Sequence, residues 1–169
     1  VALHNAEASL TNPSKHHWLG PVNGYSARKI VDMLAAIVGG RAALKKRPLL
    51  TFLVAPGSPL NLTKELCEIV MEGARSGLAL NIVSMAMAGG SAPVTLAGTL
   101  VTHNAEVLAS IALNQLTRRG SPVVYGSSTC PMDLLRTTAS VGSPECGMIT
   151  AGVARLARKY SLPCFAAGG

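Results

Sequence analysis

Residues 84–106, SMAMAGGSAPVTLAGTLVTHNAE, form the stretch that decides the fold. Just before it, residues 78–84 are short, branched and almost continuously apolar, which predicts a strand of a parallel sheet covered on both faces. Gly89 and Gly90 predict a turn, and Pro93 is acceptable in the first turn of a helix. The following apolar residues have helical spacing, at Leu96, Leu100, Val107 and Ile111. Because α/β folds bind ligands where a strand ends and a helix begins, we predict a ligand site here.

A β-then-α rhythm extends from this stretch over the whole chain. Strands are predicted at 16–19, 49–54, 78–84, 122–125 and 162–166, with helices starting near 26, 61, 96 and 144. This alternation predicts a parallel sheet with right-handed crossovers. Both an open doubly wound sheet and part of a (β/α)8 barrel fit, and a full barrel needs about 250 residues.

The two ends of the chain lead to an expectation about its extent. The sequence starts on Val1 and ends on a strand followed by Gly168 and Gly169. We therefore expect residues 1–169 to be one partial domain of about half a barrel, lacking N-terminal and C-terminal parts.

Composition favours a folded chain and argues against several classes. Apolar residues make up 49% and charged residues 14%, which excludes a disordered chain. Residues 77–102 carry no charge and are long enough to raise a membrane span. Interspersed polar residues and the glycine turn split this run, so we predict no membrane segment. Residues 1–15 lack a signal peptide's basic start and apolar run.

The formal net charge of +7 invites a nucleic-acid function, but the positions of the charges argue against it. Basic clusters stand near the ends of helical patterns, at 41–47, 118–119 and 155–159, where cations offset the helix dipole. Aromatics interleaved with basic residues, as in single-strand binders, are missing. We predict no nucleic-acid partner.

Cysteine and motif usage narrows the chemistry further. The four cysteines form no C-x-x-C pair, which predicts reduced thiols, a cytoplasmic protein and no zinc ribbon. His16 and His17 are adjacent and point to opposite faces of a strand, so no metal site is predicted there. The sequence contains no dinucleotide, P-loop or G-x-S-x-G motif, and no D-x-H-x-x-G motif for cobalamin ligation.

Loops 20–24, 55–59, 85–93 and 126–142 follow predicted strands and should open at one edge of the sheet. The candidate substrate-binding residues in or beside these loops are Trp18, Gly89, Gly90, Tyr125, Ser127, Ser128 and Asp133. Trp18 and Tyr125 suit cation–π contact with an alkylammonium group, with ordinary packing as an equal alternative. His103, on the stripe of Leu96 and Leu100, is predicted to be a buried, satisfied histidine with Glu106 as a possible partner.

Several segments together resemble the trimethylamine:corrinoid methyltransferase family. They are residues 84–106, YGSST at 125–129, MDL at 132–134, VGSPE at 141–145 and YSLP at 160–163. The resemblance implies a (β/α)8 TIM-type barrel of which about half is present. It also implies methyl transfer from trimethylamine or a related methylated amine to the Co(I) of a separate corrinoid protein. No cofactor would be bound by this chain itself, and a homo-oligomer is expected.

The resemblance also bears on the catalytic residue. In the family's trimethylamine enzymes, the strand matching 162–169 is followed by pyrrolysine, encoded by an amber codon, so we expect pyrrolysine after Gly169. Glycine betaine or other quaternary amine methyltransferases without pyrrolysine are one alternative, although SMAMAGG at 84–90 is nearer to the trimethylamine branch. A non-catalytic half-barrel fragment is the other alternative.

Overall fold

A computed structural model of the chain describes residues 2–12 and 15–167. Its elements are α1 (Ala2–Thr11), β1 (His17–Leu19), α2 (Gly24–Val38), α3 (Arg41–Lys46), β2 (Leu50–Val54), α4 (Lys64–Ser76), β3 (Ala79–Ser84), β4 (Met87–Ala88), α5 (Leu96–Thr117), β5 (Val123–Ser127), β6 (Cys130–Asp133), β7 (Thr138–Ala139), α6 (Pro144–Lys159) and β8 (Cys164–Ala166). The predicted strands and helices are all present, and the segment between β5 and α6 contains two additional short strands.

The order of the strands decides between the two architectures that the sequence allows. The larger sheet has five strands in the order β1-β2-β3-β5-β8, so that each new strand joins next to the one before it. β1 pairs with β2 in parallel, and β5 pairs with β8 in parallel. A doubly wound sheet reverses its strand order at a switch point, whereas a barrel does not. The chain is therefore an α/β fold of the (β/α) barrel type, of which it contains a part.

The chain forms two compact units. The first comprises Val1–Val54, Lys64–Asn81 and Ala112–Pro122, and the second comprises Ala55–Thr63, Ile82–Ile111 and Val123–Gly169. In the first unit, α2 starts with a capping box between Asn23 and Ser26 and ends at Gly39, whose φ of 86° is left-handed. Its buried Ile30 and Leu34 belong to the core of this unit.

Gly73 in α4 shows how closely the elements of the first unit approach one another. A Cβ placed at Gly73 would lie 2.5 Å from Leu80 Cδ2 and 3.3 Å from Phe52 Cδ2, and both neighbours are fully buried. Gly147 in α6, by contrast, has nothing within 4 Å of such a Cβ. The first glycine is needed for close packing, and the second is only a flexible helix residue.

Gly73→Ala is expected to lower the free energy of unfolding by about 1–3 kcal/mol, because the added methyl overpacks the contact with Leu80. Gly147→Ala is the matched control, and we expect it to raise that free energy by about 0.5–1 kcal/mol. Urea unfolding of both variants measures the difference. Equal stability of the two variants would contradict the close approach at Gly73.

The helix α5 corrects one expectation from the sequence. Leu96, Leu100 and Ile111 are only half-buried, although their helical spacing predicted a core stripe. The fully buried positions are mostly polar: Thr99, His103, Glu106, Ser110 and Asn114, together with Val107. The face of α5 that is buried in the fold is therefore its polar face, and His103 lies on it.

Residues 126–142 were predicted to be a long loop, and this was wrong in detail. They contain β6 and β7, which pair antiparallel through Met132 with Ala139 and Asp133 with Thr138. β6 also pairs in parallel with β4, through Met87 with Cys130 and Ala88 with Pro131. The three short strands form a small second sheet within the second unit.

The predicted helix ends are largely confirmed. Ser143 caps α6 by accepting the backbone N–H of Cys146, and Pro144 occupies the first turn. Lys45 and Lys46 lie in the last turn of α3, and Arg158 and Lys159 in that of α6. Arg41 is an exception, because it begins α3.

Within the first unit Arg41 forms ion pairs with Asp32 at 2.7 Å and with Glu72 at 3.5 Å. It therefore binds acidic side chains rather than the end of a helix dipole. Cys67, Cys130, Cys146 and Cys164 are free, as the sequence predicted.

Among the described residues, one helix is long and apolar enough to cross a membrane by length and composition alone. It is α5, which has 22 residues and contains an 18-residue window with a mean hydropathy of 1.2. A buried core helix passes the same test, and α5 carries the fully buried His103 and Glu106. The uncharged run 77–102 is itself divided between β3, the glycine turn and the start of α5, which confirms that it is not one continuous span.

Candidate functional site

The carboxyl ends of β3 and β5 meet in the second unit. The backbone N–H of Ser128, which follows β5, donates to the carbonyl oxygen of Ser84, the last residue of β3, at 2.9 Å. The parallel pairing of β4 with β6 continues this contact outward. Loops 85–93 and 126–142 therefore open at the same edge, as the sequence predicted. We call this edge the rim and define it by residues 84–93 and 127–133.

The Gly89–Gly90 turn is a tight turn of the rim. Gly89 has a φ of 83°, a conformation that favours glycine. The N–H groups of Gly90 and Ala92 both donate to the carbonyl oxygen of Met87, at 2.9 and 3.0 Å. A Cβ at Gly90 would lie 2.9 Å from the sulfur of Met132, so the turn packs on β6. Both glycines thus bring the turn close to the neighbouring loop.

Ser127 and Ser128 lie at the rim and differ in accessibility. Ser127 is buried, and its hydroxyl oxygen accepts the backbone N–H of Thr129 at 3.1 Å. Ser128 is half-buried, and Met85, which follows β3, is 56% exposed. Ser128 and Met85 are therefore the better-placed side chains for a ligand at this edge.

Asp133 is occupied by its own turn. Its carboxylate accepts the backbone N–H groups of Leu135 and Arg136, both at 3.0 Å, and the Arg136 guanidinium at 3.1 Å. The hydrogen bonds from Arg136 hold the pKa of Asp133 below its usual value. These contacts stabilise the β6–β7 connection, so Asp133 shapes the rim.

Tyr125 lies in the interior of the second unit. It is fully buried, its ring centroid is 5.4 Å from that of His103 and 6.0 Å from that of Tyr160, and its hydroxyl donates to Asn104 at 2.8 Å. Burial raises the pKa of its hydroxyl, with smaller contributions from Tyr160 and Cys164. A buried ring offers no face to a ligand, so this placement favours the packing alternative.

Trp18 lies on β1 in the first unit, at the edge position of the five-stranded sheet. Its side chain is 42% exposed, which leaves part of the ring accessible. Its assignment to a substrate site stays a prediction. The other candidates, Gly89, Gly90, Ser127, Ser128 and Asp133, are brought together at the rim of the second unit.

Glu106 is a residue whose contacts the sequence did not anticipate. Although only 2% exposed, it accepts hydrogen bonds from the hydroxyls of Ser84 at 2.6 Å and Ser58 at 2.9 Å, both on Oε2. Its Oε1 accepts the backbone N–H of Leu60 at 3.0 Å. One carboxylate on α5 thus ties the end of β3 to the segment that follows β2.

His103, one turn before Glu106, ties α5 to the next part of the rim. Its Nδ1 lies 2.9 Å from the hydroxyl oxygen of Thr129, which in turn donates to the carbonyl oxygen of Ser84 at 3.3 Å. Burial lowers the pKa of His103 to about 4, so the ring is neutral at pH 7. The predicted burial of His103 is confirmed, but its hydrogen-bond partner is Thr129 and not Glu106. The prediction that the ring is fully satisfied was wrong, because the buried Nε2 has no hydrogen-bond partner among the described residues.

The arrangement at the rim suits binding better than acid–base chemistry. Glu106 accepts a hydrogen bond from Ser84 directly, and His103 is linked to Ser84 through the Thr129 hydroxyl. The carboxylate of Asp133 is hydrogen-bonded within its own turn. Within residues 2–12 and 15–167, no three His, Cys, Asp or Glu side chains are grouped so that they could hold a metal ion. What remains accessible is a small set of methyl, thioether and hydroxyl groups.

Comparison with known proteins places the chain among known sequences. The family model described as trimethylamine methyltransferase (MTTB) matches residues 2–169. The chain belongs to the trimethylamine methyltransferase family. Trimethylamine methyltransferase MttB of Desulfitobacterium hafniense is 51% identical over 169 residues, which are 100% of this chain and 34% of that protein. Trimethylamine methyltransferase MttB1 of Methanosarcina mazei is 51% identical over 168 residues, 98% of this chain and 34% of that protein.

A more distant relative has a different named substrate. Glycine betaine methyltransferase of Desulfitobacterium hafniense is 37% identical over 163 residues, covering 96% of this chain and 34% of that protein. The chain spans about a third of the length of the curated relatives it matches. The similarity is higher to the relatives named for trimethylamine, in the direction that SMAMAGG at 84–90 predicted.

Proposed function

We propose that these residues form part of an enzyme that transfers a methyl group from trimethylamine to the Co(I) of a separate corrinoid protein. The observation that carries the proposal is the 51% identity to trimethylamine methyltransferase MttB over the whole chain. The identity to glycine betaine methyltransferase is 37%, which makes that substrate the second candidate.

In this proposal, the rim binds and orients the amine. Met85 and the Gly89–Gly90 turn offer apolar contacts, and the Ser128 hydroxyl offers a single polar one. The buried hydrogen bonds of Glu106 and His103 keep these loops fixed beneath the substrate. Fixed loops matter because methyl transfer requires the methyl carbon to face its acceptor in one orientation, and correct positioning supplies much of the rate.

The catalytic residue, the corrinoid and the cellular location are also part of the proposal. We propose that pyrrolysine, following Gly169, holds the amine, and that the corrinoid is bound by the partner protein and not by this chain. A cytoplasmic location is also proposed, because all four cysteines are free. Assembly into a homo-oligomer stays a prediction.

The test uses the whole protein as its native host makes it, mixed with its corrinoid protein in the Co(I) state. Trimethylamine should convert the visible spectrum from Co(I) to methyl-Co(III), and glycine betaine should not. Mass spectrometry of the peptide that contains Gly169 tests for pyrrolysine in the same sample. Methylation with glycine betaine alone, or with neither amine, would overturn the proposed substrate.

A further inference from the structure

A cavity of about 210 Å³ lies in the first unit, where the strands β1 and β2 begin. These strands pair in parallel from His17 and Leu50 onward, so the segments that precede them meet at the same edge of the sheet. The cavity is lined by residues of these segments and by one residue of α1. The rim consists instead of residues at and after the carboxyl ends of β3 and β5, so the cavity is a separate feature.

The side chains that line this cavity are strongly basic. Four of the seven lining residues are lysine, arginine or histidine, and none is acidic: Lys15, His16, His17 and Arg47. Lys15 and Arg47 are exposed, and within residues 2–12 and 15–167 neither forms an ion pair. Glu7, the acidic residue of α1, lies 3.7 Å from His4. Two positive charges at the cavity are therefore left without an acidic partner in the described chain.

The two histidines add hydrogen-bonding groups to the same cavity. Both ring nitrogens of His17 are buried and have no partner among the described residues. A buried polar nitrogen without a partner is unfavourable, and a ligand in the cavity that His17 lines would supply one. Nε2 of His16 lies 2.9 Å from the hydroxyl oxygen of Thr51. When that hydroxyl donates to Nε2, Nδ1 carries the proton of the ring and is itself a donor.

We propose that this cavity binds a phosphate group, either as the free ion or as part of a small phosphate ester. The Arg47 guanidinium donates to two phosphate oxygens at once, and the Lys15 ammonium contributes a second positive charge. The N–H groups of His16 and His17 donate to the remaining oxygens. The site goes beyond the proposed function, which concerns an amine at the rim, and does not depend on it.

The number of donors favours a phosphate group over a carboxylate. A carboxylate carries one negative charge and two oxygens, which two basic side chains satisfy. A phosphate ester carries about 1.5 to 2 negative charges near pH 7 and three strong acceptor oxygens. Two cations and two imidazole rings therefore match the charge and the acceptors of a phosphate group.

The size and the remaining walls of the cavity leave room for either source of the phosphate. Its volume corresponds to roughly seven waters at about 30 Å³ each, whereas a phosphate group has five heavy atoms. The rest of the wall is apolar and consists of Leu10, Pro48 and Leu49. These side chains would contact the carbon atoms of an ester, or water beside a free ion.

The test is a ³¹P NMR titration of the whole protein, purified from its native host without phosphate, with inorganic phosphate and separately with glycerol 3-phosphate. The phosphate signal should broaden on binding with a dissociation constant below about 1 mM, and acetate should compete only at concentrations at least about tenfold higher. Tighter binding of glycerol 3-phosphate would identify an ester as the ligand, and equal or weaker binding would identify the free ion. An unbroadened phosphate signal, or equal competition by acetate, would overturn the proposal.

Arg47→Gln should weaken phosphate binding at least about tenfold, because it removes one charge and the two-point contact. Lys15→Gln should weaken it in the same direction and serves as a second variant should Arg47→Gln fold poorly. Lys46→Gln is the matched control, since it removes an exposed positive charge next to Arg47 that does not line the cavity. Its effect should stay below about twofold, because an exposed charge outside the site is screened.

The comparison of these variants separates a built site from general charge attraction. Equal weakening by Arg47→Gln and Lys46→Gln, or unchanged binding by both Arg47→Gln and Lys15→Gln, would overturn the proposal. The ³¹P signal reports phosphate binding whether or not the protein transfers a methyl group. Failure of the phosphate site would therefore leave the proposed function standing, and failure of the proposed function would leave the phosphate site standing.

Discussion

Glu106→Ala is expected to lower the free energy of unfolding by about 3–5 kcal/mol. The substitution removes three hydrogen bonds to a charged group, each worth about 1.5–3 kcal/mol when made, and leaves a void beside the buried Ser84. Part of that loss is recovered because the two serine hydroxyls can rotate toward other acceptors. Urea unfolding at pH 7 measures the difference between the variant and the unsubstituted chain.

Two further variants separate the role of Glu106 from a general effect of losing a glutamate. Glu145→Ala removes an exposed glutamate from the first turn of α6, and we expect a loss below about 1 kcal/mol. Glu106→Gln keeps the volume and one acceptor oxygen, so its loss should fall between the other two. If Glu106→Ala lost no more stability than Glu145→Ala, the carboxylate would not tie the segment after β2 to β3.

Much of the fold could be predicted from the sequence because the local signals for strands and helix ends agree with the final structure. The strand at 78–84 is apolar along its length, Gly39 ends α2, and Ser143 with Pro144 begins α6. Each of these signals acts over a few residues, which is the range that a single sequence reveals. The alternation of strands and helices is compatible with a doubly wound sheet and with part of a barrel, and the strand order in the structure decides for the barrel.

The polar face of α5 could not be predicted for a physical reason. Helical spacing shows that a helix has two faces, but it does not show which face meets the sheet when the other also carries alanine and leucine. One hydrogen-bond partner of Glu106 is Ser58, 48 residues earlier in the chain, and no local pattern connects the two residues. The short strands β4 and β7 have two residues each, too few for a period to be detected.

The candidate site was also predicted only in part. The glycine turn and Ser127–Ser128 were found because strand ends in parallel sheets share one edge. Tyr125 was included because it ends a predicted strand, and alternation along a strand does not say which face is the outer one. The chain packs Tyr125 against His103 and Tyr160, and the hydroxyl bond to Asn104 satisfies its only polar group.

As the pH drops from 6.5 to about 4, the titration of His103 alone is expected to lower the free energy of unfolding by about 3 kcal/mol. In the unfolded chain the histidine has its ordinary pKa of 6.5, whereas burial lowers the pKa to about 4 in the folded chain. Between these values the unfolded state binds a proton that the folded state does not, so acid favours unfolding. Above pH 6.5 both states are neutral, and below about pH 4 both are charged, so the contribution is constant there.

His103→Gln should remove this part of the pH dependence, because glutamine does not titrate and can still reach the Thr129 hydroxyl. Urea unfolding from pH 7 to pH 4 measures it as the change in the stability gap between the variant and the unsubstituted chain, which cancels the carboxylates common to both. His4→Gln is the matched control, since the side chain of His4 is 87% exposed and its loss should leave the curve parallel. If the plot of unfolding free energy against pH for His103→Gln also ran parallel to that of the unsubstituted chain, the folded chain would accept the proton on His103. The polar face of α5 would then be open to water near Thr129.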